Sequence, residues 1–481
     1  MSRTAPRRPA SATCRWASRV DRRQRGAVVS VALELAARAC ALCEGDQAEA
    51  VVQRERSGFA RFAASQVHQP TLIDNELVTL RVVRGERQGS ASTNRLDDDG
   101  LRAAAKRAEE AADSASPDPD FPGLANPEEP QAVAGWDEAT AALDPASHAE
   151  RALSAIDAAK GIGLYGYFTS GETELAVAST TGIGVAQAMT DASVLTLAAG
   201  NGISGHAAAC SWRAGDLDPA QVAQEATEKA ARTKGAAELT PGRYRAVLEP
   251  YAFAELLMWF AFSSLGARSF LEQRSCLAGR LGDQLFHPEF TLLDDGTDER
   301  GLPKAFDFEG VPKRPVKLVE RGIARDVVWD RRTAAKSGEG RRSTGHAPPP
   351  SLATWGPFPE SLVVEAGDAS TDELIERVDD GVYITRLHYL SIVDERNGVI
   401  TGMTRDGTFR IREGRLAEPL VNLRFTTAFP ELAHDLLGLG KNLMRVSTFD
   451  YYDERRPTAA VVPALATESF VVSGSGAAPG L

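Results

Sequence analysis

The fifteen residues Tyr251–Leu265 carry twelve apolar side chains, interrupted only by Glu255, Ser263 and Ser264. Pro250 suits the first turn of a helix and Gly266 the position just past its end, so the run reads as one helix following a strand at Val247 and Leu248. A helix apolar on every side is buried, and this one is too short to span a bilayer. The chain must therefore build a core around it. One carboxylate, Glu255, is carried into that core, where it needs a partner or a raised pKa. In a zinc peptidase it would be the general base of a His-Glu pair, with a second histidine about a turn later. Here Ala254 precedes it, Leu256 to Trp259 follow, and no histidine lies between His206 and His287. The plainer reading is a structural carboxylate held by backbone donors or by an arginine such as Arg268.

A core of this kind is within reach of 481 residues, enough for two or three domains. The net charge of −12 argues against nucleic acid as a direct partner. Forty-two glycines imply many tight turns and hence much β-structure. The five cysteines, Cys14, Cys40, Cys43, Cys210 and Cys276, are odd in number and scattered, which points to a reducing compartment, the cytoplasm. Cys40 and Cys43 form a lone C-x-x-C at the C-terminal end of a helical stretch, where neither a thioredoxin-type pair nor a four-ligand zinc site belongs. The first 26 residues hold eight arginines and no apolar run, and are expected to be a disordered leader. No stretch reads as a membrane span.

Along the chain, a helix is expected from Ala27 to Cys43, strands at Gly58–Ser65, Glu76–Val83 and Gln88–Thr93, and a helix from Asp97 through Ala112. Residues 113–131, dense in Pro, Asp and Ser, read as a linker or long surface loop. A helix over Ser147–Lys160 precedes Gly163–Ser179, which reads as a hairpin around Ser170-Gly171-Glu172. Gly182–Gly200 and His206–Trp212 continue that sheet, and Asp218-Pro219 opens a helix closed by Gly235. Further on, Ser370–Glu373 is a capping box opening a short helix that Gly381 ends. Strands then follow with turns at Asn397-Gly398, Asp406-Gly407 and Glu413-Gly414. Pro430–Leu439 reads as a last helix and Ala459–Val472 as a closing strand. The expected domains are an N-terminal unit over 27–235 and a C-terminal one over 236–481.

The order of these segments resembles the TldD/PmbA family, metallopeptidase-type proteins also linked to modulation of DNA gyrase. The resemblance rests on Gly58–Ala91 with Gly89 to Thr93, on Pro241-Gly242-Arg243-Tyr244 leading into the apolar helix, and on Asp307 to Pro312. It continues through Ser343-Thr344-Gly345-His346, Gly381 to Ile384, Gly402–Gly407 and Ile411–Gly414. It implies an α+β fold, with an N-terminal α/β-mixed domain followed by a C-terminal β-rich, barrel- or sandwich-like domain. In metal-binding members a His-Glu-x-x-x-His motif lies on the helix equivalent to Tyr251–Leu265, and a C-terminal cysteine completes the site. Placing Glu255 on the motif's glutamate puts Ala254 and Trp259 at the histidine positions, and no cysteine follows Cys276. The resemblance is therefore to the metal-free PmbA/TldE-type member. It implies no catalytic residue and no cofactor here, with zinc in a TldD-type paralogous partner and peptide as the substrate.

Other candidates are weaker. His287, His388 and Asp294 could in principle form a different metal site, although packed or surface histidines explain them as well. His346 sits in a Pro-rich loop. Thr401, Thr404, Arg405 and Asp406 read as a polar hairpin tip whose arginine could take a peptide carboxylate, or as ordinary turn chemistry. Ser263 and Ser343 lack the elbow of a nucleophile, and there is no P-loop or dinucleotide fingerprint. Three functions stay open: a non-catalytic subunit of a two-chain zinc peptidase that binds unfolded peptide by strand addition, a peptidase with a relocated metal, and a free-standing peptide-binding or regulatory protein.

Overall fold

A computed structural model describes residues 28–159, 161–448 and 455–476. The arginine-rich leader lies outside the described residues.

The first sheet has six antiparallel strands in the order Arg87–Thr93, Gln66–Arg84, Gln47–Ala63, Gly163–Ser179, Gly184–Gly200 and Ile203–Ser211. Alternation along them separates two apolar faces. Ala48, Ala50, Val52, Ala176 and Ala178 meet the helices Val28–Ala41 and Asp98–Ser114. Phe62, Leu164, Phe168 and Val194 meet Pro145–Ala158 and Pro219–Arg232. The residues between them, Val51, Leu175 and Val177, face the other way and pack on Phe306 and Val311 from the C-terminal half. Both faces are thus covered. The helices begin at side chains that accept backbone N–H groups: Asp97, Asp144 and Asp218.

Gly163–Ser179 is one continuous strand and not the expected hairpin. Gly171 pairs with Ser57 on one side and Asp191 on the other. A Cβ there would fall 2.6 Å from Ser57 Cβ and 2.8 Å from Arg455 Nε, so the glycine serves close packing and not a turn. Residues 115–137 hold no strand and no helix. Their course is pinned to the C-terminal half by the Arg332–Asp118 pair at 2.7 Å and by Arg331, which donates to the carbonyls of Gly123 and Leu124.

The C-terminal half contains a closed five-stranded ring: Gly381–Asp394, Gly242–Leu248, Leu465–Ser475, Leu423–Ala428 and Val399–Arg412, which pairs back onto the first. Closure removes the sheet edges and gives a small barrel. Beside it lies a second sheet, ordered Ile323–Ala324, Val316–Glu320, Leu292–Asp294, Leu362–Val364, Ala459–Val462 and Met444–Ser447. The protein is α+β, with a mixed N-terminal half and a barrel-bearing C-terminal half.

Four expectations need correction here. Val399–Arg412 runs straight through Asp406-Gly407, which form a β-bulge: both stand opposite Thr385 alone, with Asp406 at φ 57° and Gly407 at φ 136°. The last helix is only Phe429–His434, and Leu436–Leu439 is a strand on Leu465–Thr467. The closing strand is two strands in different sheets, broken at Pro463, which has no N–H for the ladder. The short helix Thr371–Val378 has its capping box, but Asp379 at φ 60° ends it, and Gly381 opens the next strand.

Candidate functional site

The apolar helix spans Pro250–Ser264, and its core side carries Phe253, Leu256, Leu257 and Phe260. Phe260 stacks on Phe429 with ring centres 4.2 Å apart. It is not buried on every side. Met258 and Trp259 are half-buried and Phe262 is 38% exposed. Gly266 is at φ −99°, outside the left-handed region of a helix-ending glycine. A Cβ there would lie 2.1 Å from the Pro357 carbonyl, so close approach explains the residue. Ala254 is wholly buried, whereas Trp259 lines an open groove. Five positions apart is about 140° around a helix, and the two point to different surroundings.

Glu255 is half-buried, and among the described residues nothing is seen to hydrogen-bond or ion-pair with it. Arg268 pairs with Glu272 at 3.0 Å and does not reach it, contrary to expectation. Burial pushes the Glu255 carboxyl up to about 7, with the charge of Arg386 opposing in part. Arg386 in turn binds Asp406 Oδ2 at 2.8 Å, and Arg405 Nε lies 3.8 Å from Asp406 Oδ1. His206 is held neutral by burial and by Arg386 and Lys229, and its Nδ1 is buried without a partner. Burial, Arg405 and Arg386 likewise hold His388 below the usual imidazole range. A cavity of about 310 Å³ opens here, lined by Tyr165, Leu195, Leu197, Arg386, His388 and Arg405 among others.

The first sheet and the barrel thus bring Glu255, Arg386, Arg405, Asp406, His206 and His388 into one electrostatic neighbourhood. Arg386, which pairs with Asp406, and His206 were not among the sequence candidates. Thr401 and Thr404 belong to the barrel wall and not to a hairpin tip. Thr401 donates to the Phe425 carbonyl at 2.8 Å, and Thr404, fully buried, accepts from Thr408 and from the Leu423 N–H.

A pH test follows from Glu255. The unfolded carboxyl ionises near 4.5, and the folded one near 7. Between those values the folded state keeps a proton that the unfolded state has lost, so this group makes stability fall as pH rises from about 4.5 to about 7. Glu255→Gln carries no such penalty. Its gain in unfolding free energy over wild type, measured by urea at pH 5 and pH 8, should be greater at the higher pH by an amount on the order of 2 kcal/mol. A difference that is the same at both pH values contradicts the assignment.

A second polar centre lies within the C-terminal half. Asp294 and His346 are fully buried, with His346 Nε2 2.8 Å from Asp294 Oδ1. Asp294 also accepts the backbone N–H groups of Glu360 and Ser361, and His346 Nδ1 meets Thr344 Oγ1 at 2.9 Å. Burial opposes ionisation of Asp294, but His346, Lys313 and these donors outweigh it and hold the carboxyl below its usual range. Asp294 is therefore engaged with His346. His287 accepts the Glu289 N–H on its Nδ1, and His388 packs against Tyr389, so the three residues considered as a relocated metal site have separate partners. Among the described residues, no group of three or more His, Cys, Asp or Glu is placed to hold a metal ion. Cys40 donates to the Ala48 carbonyl and Cys43 to that of Ala39, with the Cys43 thiol pushed up to about 12 by burial and Glu109. Among the described residues no helix is long and apolar enough to cross a membrane.

Comparison with known proteins gives consistent likenesses. The family model of the PmbA/TldA metallopeptidase C-terminal domain matches residues 241–474, and that of the PmbA/TldA metallopeptidase domain 1 matches residues 48–112. A metalloprotease of Methanothermobacter thermautotrophicus is 29% identical over 234 residues, 47% of this chain and 49% of that protein. A metalloprotease TldD homolog of Haemophilus influenzae is 29% identical over 156 residues, 31% of this chain and 30% of that protein. The match thus spans about half the length of these curated relatives, or less. The crystal structure of TldE from Thermococcus kodakarensis superposes with a TM-score of 0.80 at 19% identity, covering 93% of this chain and 99% of that one. At that identity the likeness is one of fold.

Proposed function

The chain belongs to the PmbA/TldD family of metallopeptidase-type proteins, and from that premise we propose that it is the metal-free, non-catalytic subunit of a two-chain zinc peptidase acting on unfolded peptides. The observation that carries this reading is the helix Pro250–Ser264. Where metal-binding relatives place two histidines, this chain has the methyl of Ala254, sealed in the core, and the indole of Trp259 on an open groove. Neither side chain has a lone pair to give a metal, and zinc needs three or four protein ligands. The residues present do not fit the family's zinc. Glu255, left between them, has the burial and raised pKa of a structural carboxylate.

What this chain would contribute is peptide contact. Arg405, beside the Arg386–Asp406 pair at the 310 Å³ cavity, is placed to take a carboxylate by charge-assisted hydrogen bonds. The zinc and its general base would come from a TldD-type paralogue. Elemental analysis of the purified chain after mild dialysis should accordingly show zinc well below one equivalent, and a value near one zinc per chain would overturn the reading.

A further inference from the structure

The strand Gln66–Arg84 is much longer than its outer neighbour, for Arg87–Thr93 pairs with it only from Arg84 to Val78. Before Val78 its outer edge has no strand partner among the described residues. The chain leaving Thr93 turns away, with Arg95 3.5 Å from Asp97. The far end of the edge is blunted: Pro70 has no N–H, Gln69 is at φ 47°, and a register shift lies opposite them. Thr71–Leu77 is left open. The Val83 carbonyl accepts the Asp46 N–H at 2.9 Å and so faces Gln47–Ala63, and the register from Val83 to Thr71 runs without a shift. By alternation Thr71, Ile73, Asn75 and Leu77 bond inward, and Leu72, Asp74 and Glu76 turn both N–H and C=O outward.

The side chains of those three outward residues share one face of the sheet. Two rows of charge cross that face. Glu76 stands opposite Arg54, which stands opposite Glu174; Asp74 stands opposite Arg56, which stands opposite Glu172. Arg54 Nε is 2.9 Å from Glu76 Oε1 and its Nη1 3.3 Å from Glu174 Oε1, and Arg56 Nε is 3.3 Å from Glu172 Oε1. Burial pushes the Glu174 carboxyl up to about 7 against the pull of Arg54. Each row reads minus, plus, minus, and each ends in a carboxylate at the open edge. Asp74 is exposed and in no ion pair among the described residues. Leu72, next along the edge and opposite Gly58, is 64% exposed.

We propose that this edge takes an extended peptide as an added antiparallel strand, with basic residues opposite Asp74 and Glu76 and an apolar residue opposite Leu72. The outward N–H and C=O groups supply the ladder of strand addition. A cation at each basic position continues the alternation of its row, since opposite charges directly across a ladder stabilise and like charges do the reverse. Antiparallel is the direction of every pair in this sheet. Read from its N-terminus, the segment is therefore basic-x-basic-x-apolar. A second copy of this chain fits less well, because antiparallel self-pairing centred on the open stretch sets Asp74 against Asp74. This site rests on the peptide-contact reading and gives it a class of substrate, and it shares no residue with the Arg405 cavity. Its binding is measured on this chain alone, whereas the subunit reading is tested by metal content and complex formation, so either can fail while the other stands.

The test uses the full chain and two blocked peptides, acetyl-Val-Lys-Thr-Lys-Thr-Leu-Thr-amide and its counterpart with glutamates for the lysines, followed by calorimetry at low salt. The lysine peptide should bind about tenfold or more tightly, two attractive cross-strand pairs standing in place of two repulsive ones. Asp74→Lys, at an exposed residue, should bring that ratio to near one, the new like charge offsetting the pair at Glu76. N-methylation of the two lysines, whose N–H groups face the edge, should abolish binding, and N-methylation of the threonine between them should leave it. Equal affinity of the two peptides for the wild type, absence of binding by either, or unchanged binding of the lysine-methylated peptide would each overturn the proposal. Retention of the full ratio by a folded Asp74→Lys chain would do the same. A wild-type dimer that Asp74→Pro splits would assign the edge to a second copy and overturn it as well.

Discussion

An Asp191→Ala variant is expected to lose about 3–5 kcal/mol of stability, the cost of breaking a buried ion pair by removing its carboxylate. Asp191 lies on the strand Gly184–Gly200 of the first sheet, and Arg455 reaches it from the C-terminal half. Nε is 2.8 Å from Oδ1 and Nη2 is 2.6 Å from Oδ2, a bidentate pair, and Nη1 is 3.2 Å from Thr169 Oγ1. The two side chains are only 2% and 3% exposed. Removing the carboxylate takes the bidentate acceptor from a guanidinium that is only 2% exposed and lies beside Gly171, whose missing Cβ makes the room. Because the contact joins the two halves, the loss should appear in the common unfolding transition as a lower denaturant midpoint. The double replacement Asp191→Leu with Arg455→Met should recover most of it, since apolar residues of similar volume carry no desolvation penalty. A single-variant loss below about 1 kcal/mol would mean that the pair does not hold the halves together.

What could be read from the sequence divides by the range of the interaction. Helix starts are local chemistry, and Asp97, Asp218 and Ser370 each take the N–H groups their spacing suggests, while the helix expected from Ser147 begins at Pro145 behind the cap Asp144. Turns with two consecutive left-handed residues were equally legible: Glu413 at φ 49° and Gly414 at φ 66° close a hairpin. Glycines used for close approach read as turns too, which is why Gly171 suggested a hairpin inside a seventeen-residue strand. Only the neighbours Gln47–Ala63 and Gly184–Gly200 decide that case, and they are distant in sequence. Asp406-Gly407 failed for the same reason: the dipeptide favours a turn, but both flanks pair with the same strand and make it a bulge. Of the candidate site, Glu255, Arg405 and Asp406 were visible as residues. Arg386, which links them, was not, since the strand VYITRLHYLSIV gives no sign of which face meets the helix. Nor was the Asp294–His346 pair, whose members are 52 positions apart.

Co-expression with a TldD-type, His-Glu-x-x-x-His-bearing paralogue should give a complex that elutes as a heterodimer and buries about 2,000 Å² or more in total, as long-lived assemblies do. Peptidase activity should appear on mixing, with each chain alone lower by about 10²-fold or more, because positioning of the substrate and the zinc chemistry would then sit on different chains. Three features favour this outcome. The family architecture is present in both halves of the chain, while the positions that would hold a metal are filled by Ala254 and Trp259. The cavity lined by Arg386 and Arg405, proposed above as a peptide contact, has no group of three or more His, Cys, Asp or Glu placed to hold a metal beside it among the described residues. Glu255, the one carboxylate on the helix, has Ala254 and Trp259 in place of ligands beside it, so a complex carrying Glu255→Gln should keep its activity. Arg405→Ala in the same complex should raise KM for a peptide with little effect on kcat, the mark of a contact made equally in ground and transition states. A paralogue that is fully active alone and runs separately from this chain on size exclusion would sink the subunit reading. Loss of activity in an intact Glu255→Gln complex would instead return the chemistry to this chain.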